Sequence, residues 1–195
     1  RYSSQPEEGT ANRRIPVPRG RLLGGSSSIN GLVFVRGQPL DYDTWGQLGN
    51  RGWSFDDVLP FFQKMEHYEH GEDDLRSQGG PLRVSKATDE GPLYDAITAA
   101  SKELGIPHNP DYNGKSQEGI VRTQTTISNG VRMSTARCYL NPVKNRPNLR
   151  IETNAHVQKL LFEGKKCSGV HFRKNGQDRF VHAHKEVMVC TGGVA

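Results

Sequence analysis

Apolar residues recur at helical spacing in the middle of the chain. Four of them lie three or four positions apart, at Leu93, Ile97, Ala100 and Leu104. Gly105 and Pro107 follow, and such residues commonly stop a helix. The pattern predicts an amphipathic helix that ends there. Upstream of it, residues 70–80 are polar and predict a surface loop, and residues 81–86 predict a short strand.

A second helix is predicted from its first turn. Ser54 and Asp57 have the spacing of a capping box, in which each side chain accepts a hydrogen bond from the other residue's backbone N–H. An apolar segment that reaches Met65 comes next. Pro60 has no N–H to donate, so we expect it to bend this helix or shorten its first turns.

Strand signals begin after the helix that stops at Gly105. Residues 119–127 are rich in β-branched side chains, and the dipeptide Asn129-Gly130 is a strong turn signal. Ser134 is a suitable cap for a short helix that must end before Pro142. The sequence therefore predicts a strand, a turn and a short helix.

The last quarter of the chain is dominated by short strand-like runs. Five of them are recognisable, at residues 149–152, 157–162, 168–173, 179–184 and 186–190. Glu163-Gly164 and Asn175-Gly176 supply turns between them. We expect an antiparallel β-meander, closed by an apolar strand that runs into Thr191.

The beginning of the chain is different, because its first nineteen residues are interrupted by prolines and predict only an extended arm. A segment rich in glycine and serine follows at residues 20–37. Its apolar run at residues 29–35 predicts a short buried helix fed by the preceding loop. Arg36 closes this run, and we expect a structural role for it at a helix end.

Composition limits the classes of protein to consider. The chain has 195 residues, enough for one domain or two small ones, and its 22 glycines and 11 prolines indicate many turns. A net charge of +5 and a pI near 9.2 are compatible with nucleic-acid binding. The charges are spread along the chain, however, and no zinc-finger, helix-turn-helix or RNP pattern is visible, so this function is disfavoured.

Cysteine, histidine and apolar content argue against several further classes. The three cysteines include no C-x-x-C pair, so neither a disulfide framework nor a structural zinc site is predicted. His182 and His184 are two positions apart on a predicted strand, but no third ligand lies at a sensible spacing, and we predict no metal site. No apolar run approaches the roughly 18 residues of a transmembrane segment.

The strongest chemical signal lies in residues 19–30, which read RGRLLGGSSSIN. Two adjacent glycines allow backbone to approach a ligand closely, and exposed amides can face an anionic group. Serines that cap a following helix would favour phosphate at its N-terminus, and Asn30 offers both a donor and an acceptor. A run of Gly and Ser is also typical of flexible linkers. The apolar run that follows, closed by Arg36-Gly37, favours a ligand loop instead.

This stretch resembles the first signature of the glucose-methanol-choline oxidoreductases. The residues that fit the signature in order are Gly20, Arg21, Leu23, Gly24, Gly25, Ser26, Ser27, Ile29, Asn30, Phe34, Gly37 and Asp43. The segment Gly-x-Arg-x-Ser-Thr at residues 130–135 also fits, and the resemblance extends over nearly the whole chain, most of all to choline dehydrogenase-like members. The segment Thr191-Gly192-Gly193 departs from the family's pattern, so we assign no cofactor contact to it.

The resemblance implies an α/β (α+β) fold and a role in binding FAD. Residues 1–37 and 149–195 would belong to a Rossmann-like FAD-binding domain with its β-meander, and residues 38–148 mainly to a substrate-binding domain. The residues implied to contact FAD are Leu22, Gly24, Gly25, Ser26, Asn30, Gly31, Leu32, Val33 and Val157. Ile29 stands where some members carry a histidine bonded to the flavin, so FAD is expected to be held non-covalently.

The implied reaction is oxidation of a small-molecule alcohol by hydride transfer to flavin N5, with oxygen or a quinone-type carrier as electron acceptor. The family's dinucleotide fingerprint would precede Arg1, and its histidine base would follow Ala195. We therefore expect no catalytic residue in this sequence and no activity from it alone. Two alternatives stay open: a non-catalytic binding module with a flavoprotein fold and, less favoured, a basic nucleic-acid-binding domain.

Overall fold

The computed structural model describes residues 2–88 and 91–193. The chain divides into two compact units, residues 1–143 and 144–195. Within the described residues, the first unit contains three α-helices and several short strands, and the second is built on one three-stranded sheet. This mixture of helix and sheet agrees with the predicted fold class.

The helices of the first unit begin where the sequence offers a cap. They are α1 (Pro39–Gln47), α2 (Phe55–Met65) and α3 (Pro92–Glu103). The capping box of α2 is confirmed, since the backbone N–H of Asp57 donates to Ser54 Oγ at 3.4 Å and that of Ser54 donates to Asp57 Oδ2 at 3.2 Å. Pro60 lies inside α2 without ending it. Helix α3 is confirmed, whereas α1 was not predicted.

Seven short strands lie in the described part of the first unit. They are β1 (Tyr2–Ser3), β2 (Pro16–Val17), β3 (Glu66–Tyr68), β4 (Leu82–Lys86), β5 (Gln124–Thr125), β6 (Ile127–Ser128) and β7 (Val131–Arg132). Strand β4 pairs in parallel with β3 and antiparallel with β5. Strands β6 and β7 form a hairpin whose turn residues, Asn129 and Gly130, have φ of 50° and 70°. The predicted turn is confirmed, and the strand before it is split into β5 and β6.

The apolar run at residues 29–35 is not helical, and its residues Val33 and Phe34 pair with residues 124–125, so the prediction of a buried helix is wrong. Phe34 donates its N–H to the Gln124 carbonyl at 2.9 Å, and Val33 bridges Thr125. Burial alternates, with Phe34 inside and Val33 and Val35 exposed. This period of two is that of a strand, and β-branched residues favour it. Phe34 packs with Tyr68 and Val84 in the core.

The side chain of Arg36 belongs to a buried network of ion pairs. Its Nη2 lies 2.6 Å from Glu66 Oε1, and both side chains are almost fully buried. Arg76 also contacts Glu66, at 3.0 Å, and pairs with Asp111 at 2.8 Å. Burial lowers the pKa of Arg36, and the charge of Glu66 opposes that change. Arg36 is therefore structural as expected, but through this ion pair and not through a helix end.

Amide and hydroxyl groups connect the network to the extended segment. Asn113 Oδ1 accepts the N–H of Arg36 at 2.7 Å, and Arg76 Nη1 donates to Gln124 Oε1 at 2.9 Å. Burial raises the pKa of Tyr112, so its hydroxyl stays protonated. That hydroxyl donates to the Phe34 carbonyl at 2.8 Å and accepts the Gln124 N–H at 2.8 Å. Hydrogen bonds to polar side chains therefore fix residues 34–36, which follow the glycine-rich loop.

The short helix predicted after Ser134 is a π-helical turn, Ala136–Leu140, which ends before Pro142. The carbonyl of Ser134 accepts the N–H of Cys138 at 2.9 Å. The Ser134 hydroxyl also accepts the N–H of Arg137, at 3.4 Å. The capping contact expected from Ser134 is thus present, although the residue that flanks the π-helical turn is Thr135.

The second unit is an antiparallel meander of strands β8 (His156–Glu163), β9 (Lys166–Lys174) and β10 (Gln177–His182), in the order β10-β9-β8. Its turns contain Gly164, Asn175 and Gly176, all with positive φ as predicted. Two of the five expected strands are wrong, because residues 149–152 and 186–190 are not in strands. Within the described residues neither segment pairs with another strand, and a strand needs such a partner.

None of the helices in the described part of the chain combines the length and apolar character needed to cross a membrane. Among residues 2–88 and 91–193 there is also no group of three His, Cys, Asp or Glu side chains placed to hold a metal ion.

Candidate cofactor-binding site

The glycine-rich loop turns sharply at its two adjacent glycines. Gly24 has φ of 89° and Gly25 has φ of 53°, both in the left-handed region that favours glycine. A 3₁₀-helix, Gly25–Ser28, starts at this turn. The loop therefore needs glycine at these positions for its backbone path alone.

The glycines differ in what a side chain would meet. A Cβ on Gly20 would lie 2.2 Å from the Gly25 carbonyl oxygen, and one on Gly24 would lie 2.4 Å from Ser28 Oγ. Because Gly20 and Gly24 lack a side chain, the backbone of the loop can pack closely against itself. A Cβ on Gly25 or Gly31 would have no atom of the described chain within 4 Å. The backbone at Gly25 and Gly31 is therefore open to an outside group.

The three serines close the loop and do not cap a later helix, so that part of the sequence interpretation is wrong. Ser26 Oγ accepts the N–H of Gly20 at 3.2 Å, and Ser28 Oγ donates to the Leu23 carbonyl at 2.9 Å. Because the apolar run at residues 29–35 is not helical, the serines have no following helix there to cap.

Thr135, in a distant segment of the chain, forms hydrogen bonds to the loop. The backbone N–H of Thr135 donates to Ser27 Oγ at 2.9 Å, and Thr135 Oγ1 donates to the Gly24 carbonyl at 3.2 Å. Ser27 Oγ in turn donates to the same carbonyl at 2.5 Å. The two stretches that carry the family resemblance, at residues 20–30 and 130–135, thus contact each other.

Asn30 is fixed by a nearby arginine. Arg132 Nη1 lies 2.6 Å from Asn30 Oδ1 and 2.8 Å from the Asn30 carbonyl. The N–H of Leu32 also donates to Asn30 Oδ1, at 3.2 Å. Leu32 has φ of 68°, which is unusual for a bulky residue. The Leu32 carbonyl accepts the N–H of Thr126 at 2.9 Å. Both backbone polar groups of Leu32 are therefore hydrogen-bonded in this strained turn.

Apolar side chains beside the loop are exposed. Leu22, Ile29 and Val33 are exposed by 55%, 48% and 57%. Apolar side chains together with a few fixed polar groups are typical of small-molecule binding sites. Eight of the nine sequence-predicted contact residues lie in this segment: Leu22, Gly24, Gly25, Ser26, Asn30, Gly31, Leu32 and Val33.

The ninth residue, Val157, lies in strand β8 of the second unit. Strand β8 is at the edge of its sheet, so one side of its backbone has no strand partner within the described residues. The register with β9 is irregular between Val157 and Lys159. Backbone on the unpaired side of an edge strand can hydrogen-bond a ligand.

Arg132 and Thr135 belong to the site, although sequence analysis assigned them no role. Both lie in the Gly-x-Arg-x-Ser-Thr segment, which was recognised as part of the resemblance. Nothing in the spacing of that segment says which loop it contacts, since Thr135 and Gly24 are 111 positions apart. The resemblance was the one available signal.

Known proteins are similar to this chain over nearly its whole length. The sequence profile of the GMC oxidoreductase family matches residues 7–195. An oxygen-dependent choline dehydrogenase of Sinorhizobium fredii is 43% identical over 188 residues, which are 96% of this chain and 34% of that protein. One from Brucella ovis is 39% identical over 193 residues, 99% of this chain and 35% of that protein. The chain thus spans about a third of the length of these relatives.

Solved structures share the fold. An FAD-dependent oxidoreductase from Chaetomium thermophilum superposes with a TM-score of 0.86 at 30% identity, over 94% of this chain and 34% of that chain. Pyridoxine 4-oxidase from Mesorbium loti also gives a TM-score of 0.86, at 33% identity, over 93% of this chain and 36% of that chain. The predicted α/β fold class is confirmed by these similarities.

Proposed function

This chain belongs to the GMC oxidoreductase family, and on that premise we propose that it supplies part of the FAD-binding site of an enzyme that oxidises an alcohol. The observation that carries the proposal is the loop at residues 20–33. There, open backbone at Gly25 and Gly31 and the amide of Asn30 lie beside exposed apolar side chains. These residues fit a flavin, which is a large planar ring with a polar edge.

Each part of the loop has a role in this proposal. Leu22, Leu32 and Val33 offer apolar surface to the ring, and Asn30 offers a hydrogen bond. Gly24, Gly25 and Ser26 place backbone amides near the cofactor, while Gly31 keeps space for it. The backbone at Val157 meets the adenine. Because Ile29 carries no nucleophile, these contacts are non-covalent.

The proposed domain division follows from these roles. Residues 1–37 and 149–195 contribute to FAD binding, and residues 38–148 contribute mainly to the substrate domain. The last range includes Arg132 and Thr135, which support the cofactor loop from that side. The boundary at residue 148 lies close to the division between the two compact units, after residue 143.

The proposed reaction takes place on the flavin. When bound, FAD supplies the hydride acceptor, at N5, for oxidation of a CH–OH group. The chain's own part is to hold the ring, to donate a hydrogen bond from Asn30 and to shield the ring with apolar side chains. We assign no residue of this chain as the base that removes the hydroxyl proton. The electron acceptor of the reduced enzyme would be oxygen or a quinone-type carrier.

Choline-like alcohols are the first substrates to test, since the relatives from Sinorhizobium fredii and Brucella ovis are named choline dehydrogenases. The experiment mixes the purified full-length gene product with choline without oxygen and follows the flavin absorbance. Tetramethylammonium, which has a similar cation and no hydroxyl group, is the control. We expect bleaching with choline or another small alcohol, and none with the control.

Two results would count against parts of the proposal. Bound flavin that no alcohol reduces would favour the non-catalytic binding module. A protein without flavin would contradict the cofactor site itself. If bleaching is seen, adding oxygen or a soluble quinone separately to the reduced protein identifies the acceptor by the faster return of colour.

A further inference from the structure

The orientation of the Asn30 amide is determined by its neighbours. Two groups approach Asn30 Oδ1, namely Arg132 Nη1 at 2.6 Å and the backbone N–H of Leu32 at 3.2 Å. Both can only donate a hydrogen bond. Turning the amide over would place its NH₂ group against two donors, so the oxygen must face Arg132 and Leu32. The amide nitrogen must then point away from them.

The consequence is that Asn30 acts only as a donor toward any ligand. Its oxygen is occupied, and within residues 2–88 and 91–193 its Nδ2 makes no hydrogen bond, although the residue is exposed. Beside it, Gly31 leaves open space. We propose that Arg132 is a positioning residue, which fixes Asn30 so that its Nδ2–H₂ group donates a hydrogen bond to FAD; this inference rests on the proposed function.

The surroundings of Arg132 suit this role. It lies in β7, directly after the tight Asn129-Gly130 turn, and its Nη1 also reaches the Ser27 carbonyl at 3.4 Å. The partners of its guanidinium are therefore oxygens of the loop. No carboxylate of the described residues lies within 4 Å of it.

The positive charge of Arg132, which no carboxylate of the described residues neutralises, strengthens the hydrogen bond that the Asn30 amide can donate. A cation bonded to the amide oxygen polarises the amide and makes its N–H a better donor. Arg132 therefore acts twice through Asn30, by fixing its orientation and by increasing its donor strength. Removing Arg132 should have little further effect on FAD once the Asn30 amide has gone.

A double-mutant cycle on the full-length protein tests this coupling. Arg132→Met, Asn30→Ala and the double variant are compared with wild type by titrating apoprotein with FAD. Each single change should raise the dissociation constant about tenfold. The double variant should be weakened no more than the worse single variant. Effects that multiply, to about a hundredfold, would overturn the inference.

The colour of the bound flavin gives a second measurement, because hydrogen bonds to the ring alter its electronic spectrum. Arg132→Met and Asn30→Ala should shift the visible absorption bands in the same direction. A support role for Arg132 that did not pass through Asn30 would leave the bands at their wild-type positions, and this result would contradict the proposal.

Asn30→Asp covers the case in which Arg132→Met does not fold. Aspartate keeps an acceptor oxygen for both Arg132 and the Leu32 N–H, but it has no N–H to donate. We expect the apoprotein to have the thermal stability of wild type. Its dissociation constant for FAD should be at least about tenfold higher. Wild-type affinity in a folded Asn30→Asp protein would refute the inference alone, whereas a wild-type protein that binds no FAD would refute the proposed function with it.

Discussion

Thr135 holds Gly24 across 111 positions of sequence, by a hydrogen bond of 3.2 Å from its Oγ1 to the glycine carbonyl. The backbone N–H of Thr135 also bonds Ser27 Oγ, at 2.9 Å. The cofactor loop is therefore shaped by a segment far away in the chain. This contact predicts that loss of the Thr135 hydroxyl loosens the loop.

Thr135→Val removes that hydroxyl at nearly constant volume. We expect the full-length protein to lose about 1 kcal/mol of stability and to retain FAD less well. The Gly24 carbonyl loses the bond from Thr135 Oγ1, and Ser27 Oγ loses its 3.1 Å contact with the same hydroxyl. Thermal melting and FAD content after gel filtration measure the two effects. Thr135→Ser keeps the hydroxyl and should retain FAD as wild type does. Equal FAD loss in both variants would contradict this account.

Gly31→Ala tests directly whether a ligand approaches the loop. Gly31 has an ordinary φ, and a Cβ there meets no atom of the described chain within 4 Å, so the substitution costs the protein itself little. We expect nearly unchanged melting of the apoprotein and weaker FAD binding. Gly9→Ala is the matched control, since Gly9 is equally open and has no positive φ. Its FAD affinity should equal that of wild type.

Gly24 and Gly25 should fail in different ways when changed to alanine. Both have positive φ, which disfavours alanine, but only at Gly24 would the new Cβ collide with the chain, 2.4 Å from Ser28 Oγ. Gly24→Ala should therefore lower the stability of the apoprotein by more than about 1 kcal/mol, and by more than Gly25→Ala does. Denaturant unfolding of the two apoproteins, side by side, measures the difference. A smaller loss for Gly24→Ala would show that the loop can yield around Ser28.

Glu66 should be among the most sensitive positions for folding. Its carboxylate is fully buried between Arg36 and Arg76, at 2.6 and 3.0 Å. Glu66→Ala leaves two buried guanidinium groups short of a partner, which costs about 3–5 kcal/mol. Low soluble yield or a lower melting temperature would report this loss. Glu152→Gln, at the exposed pair with Lys174, should leave the melting temperature unchanged.

Local signals predicted the local structure well. The capping box of Ser54 and Asp57, the stop after α3 and the Asn-Gly turns at 129–130 and 175–176 act over a few residues, so their effect can be predicted from sequence. The two adjacent glycines likewise identified the loop. The same reasoning failed for residues 29–35. Their apolar character did not show that Gln124 would offer a backbone partner and draw Phe34 into an extended path.

The buried network could not be predicted for the same reason. Arg36, Glu66, Arg76 and Asp111 are ordinary charged residues in the sequence, and only the fold brings them together. Helix α1 has few apolar side chains, so the sequence shows little helical pattern there: Leu40 and Trp45 in the helix and Leu48 directly after it are all exposed. The glycine-rich loop could therefore be located from the sequence, whereas its contacts with Arg132 and Thr135 required the structure.

The most direct test of the central claim is acid precipitation of the full-length protein, followed by spectroscopy of the supernatant. We predict about one FAD for each chain, released completely into solution, because Ile29 has no nitrogen that could bond the flavin and the loop offers only non-covalent contacts. A colourless protein would contradict the cofactor site. Yellow colour that stays with the precipitate, mapped by peptide mass to residues 19–30, would contradict the assignment of Ile29.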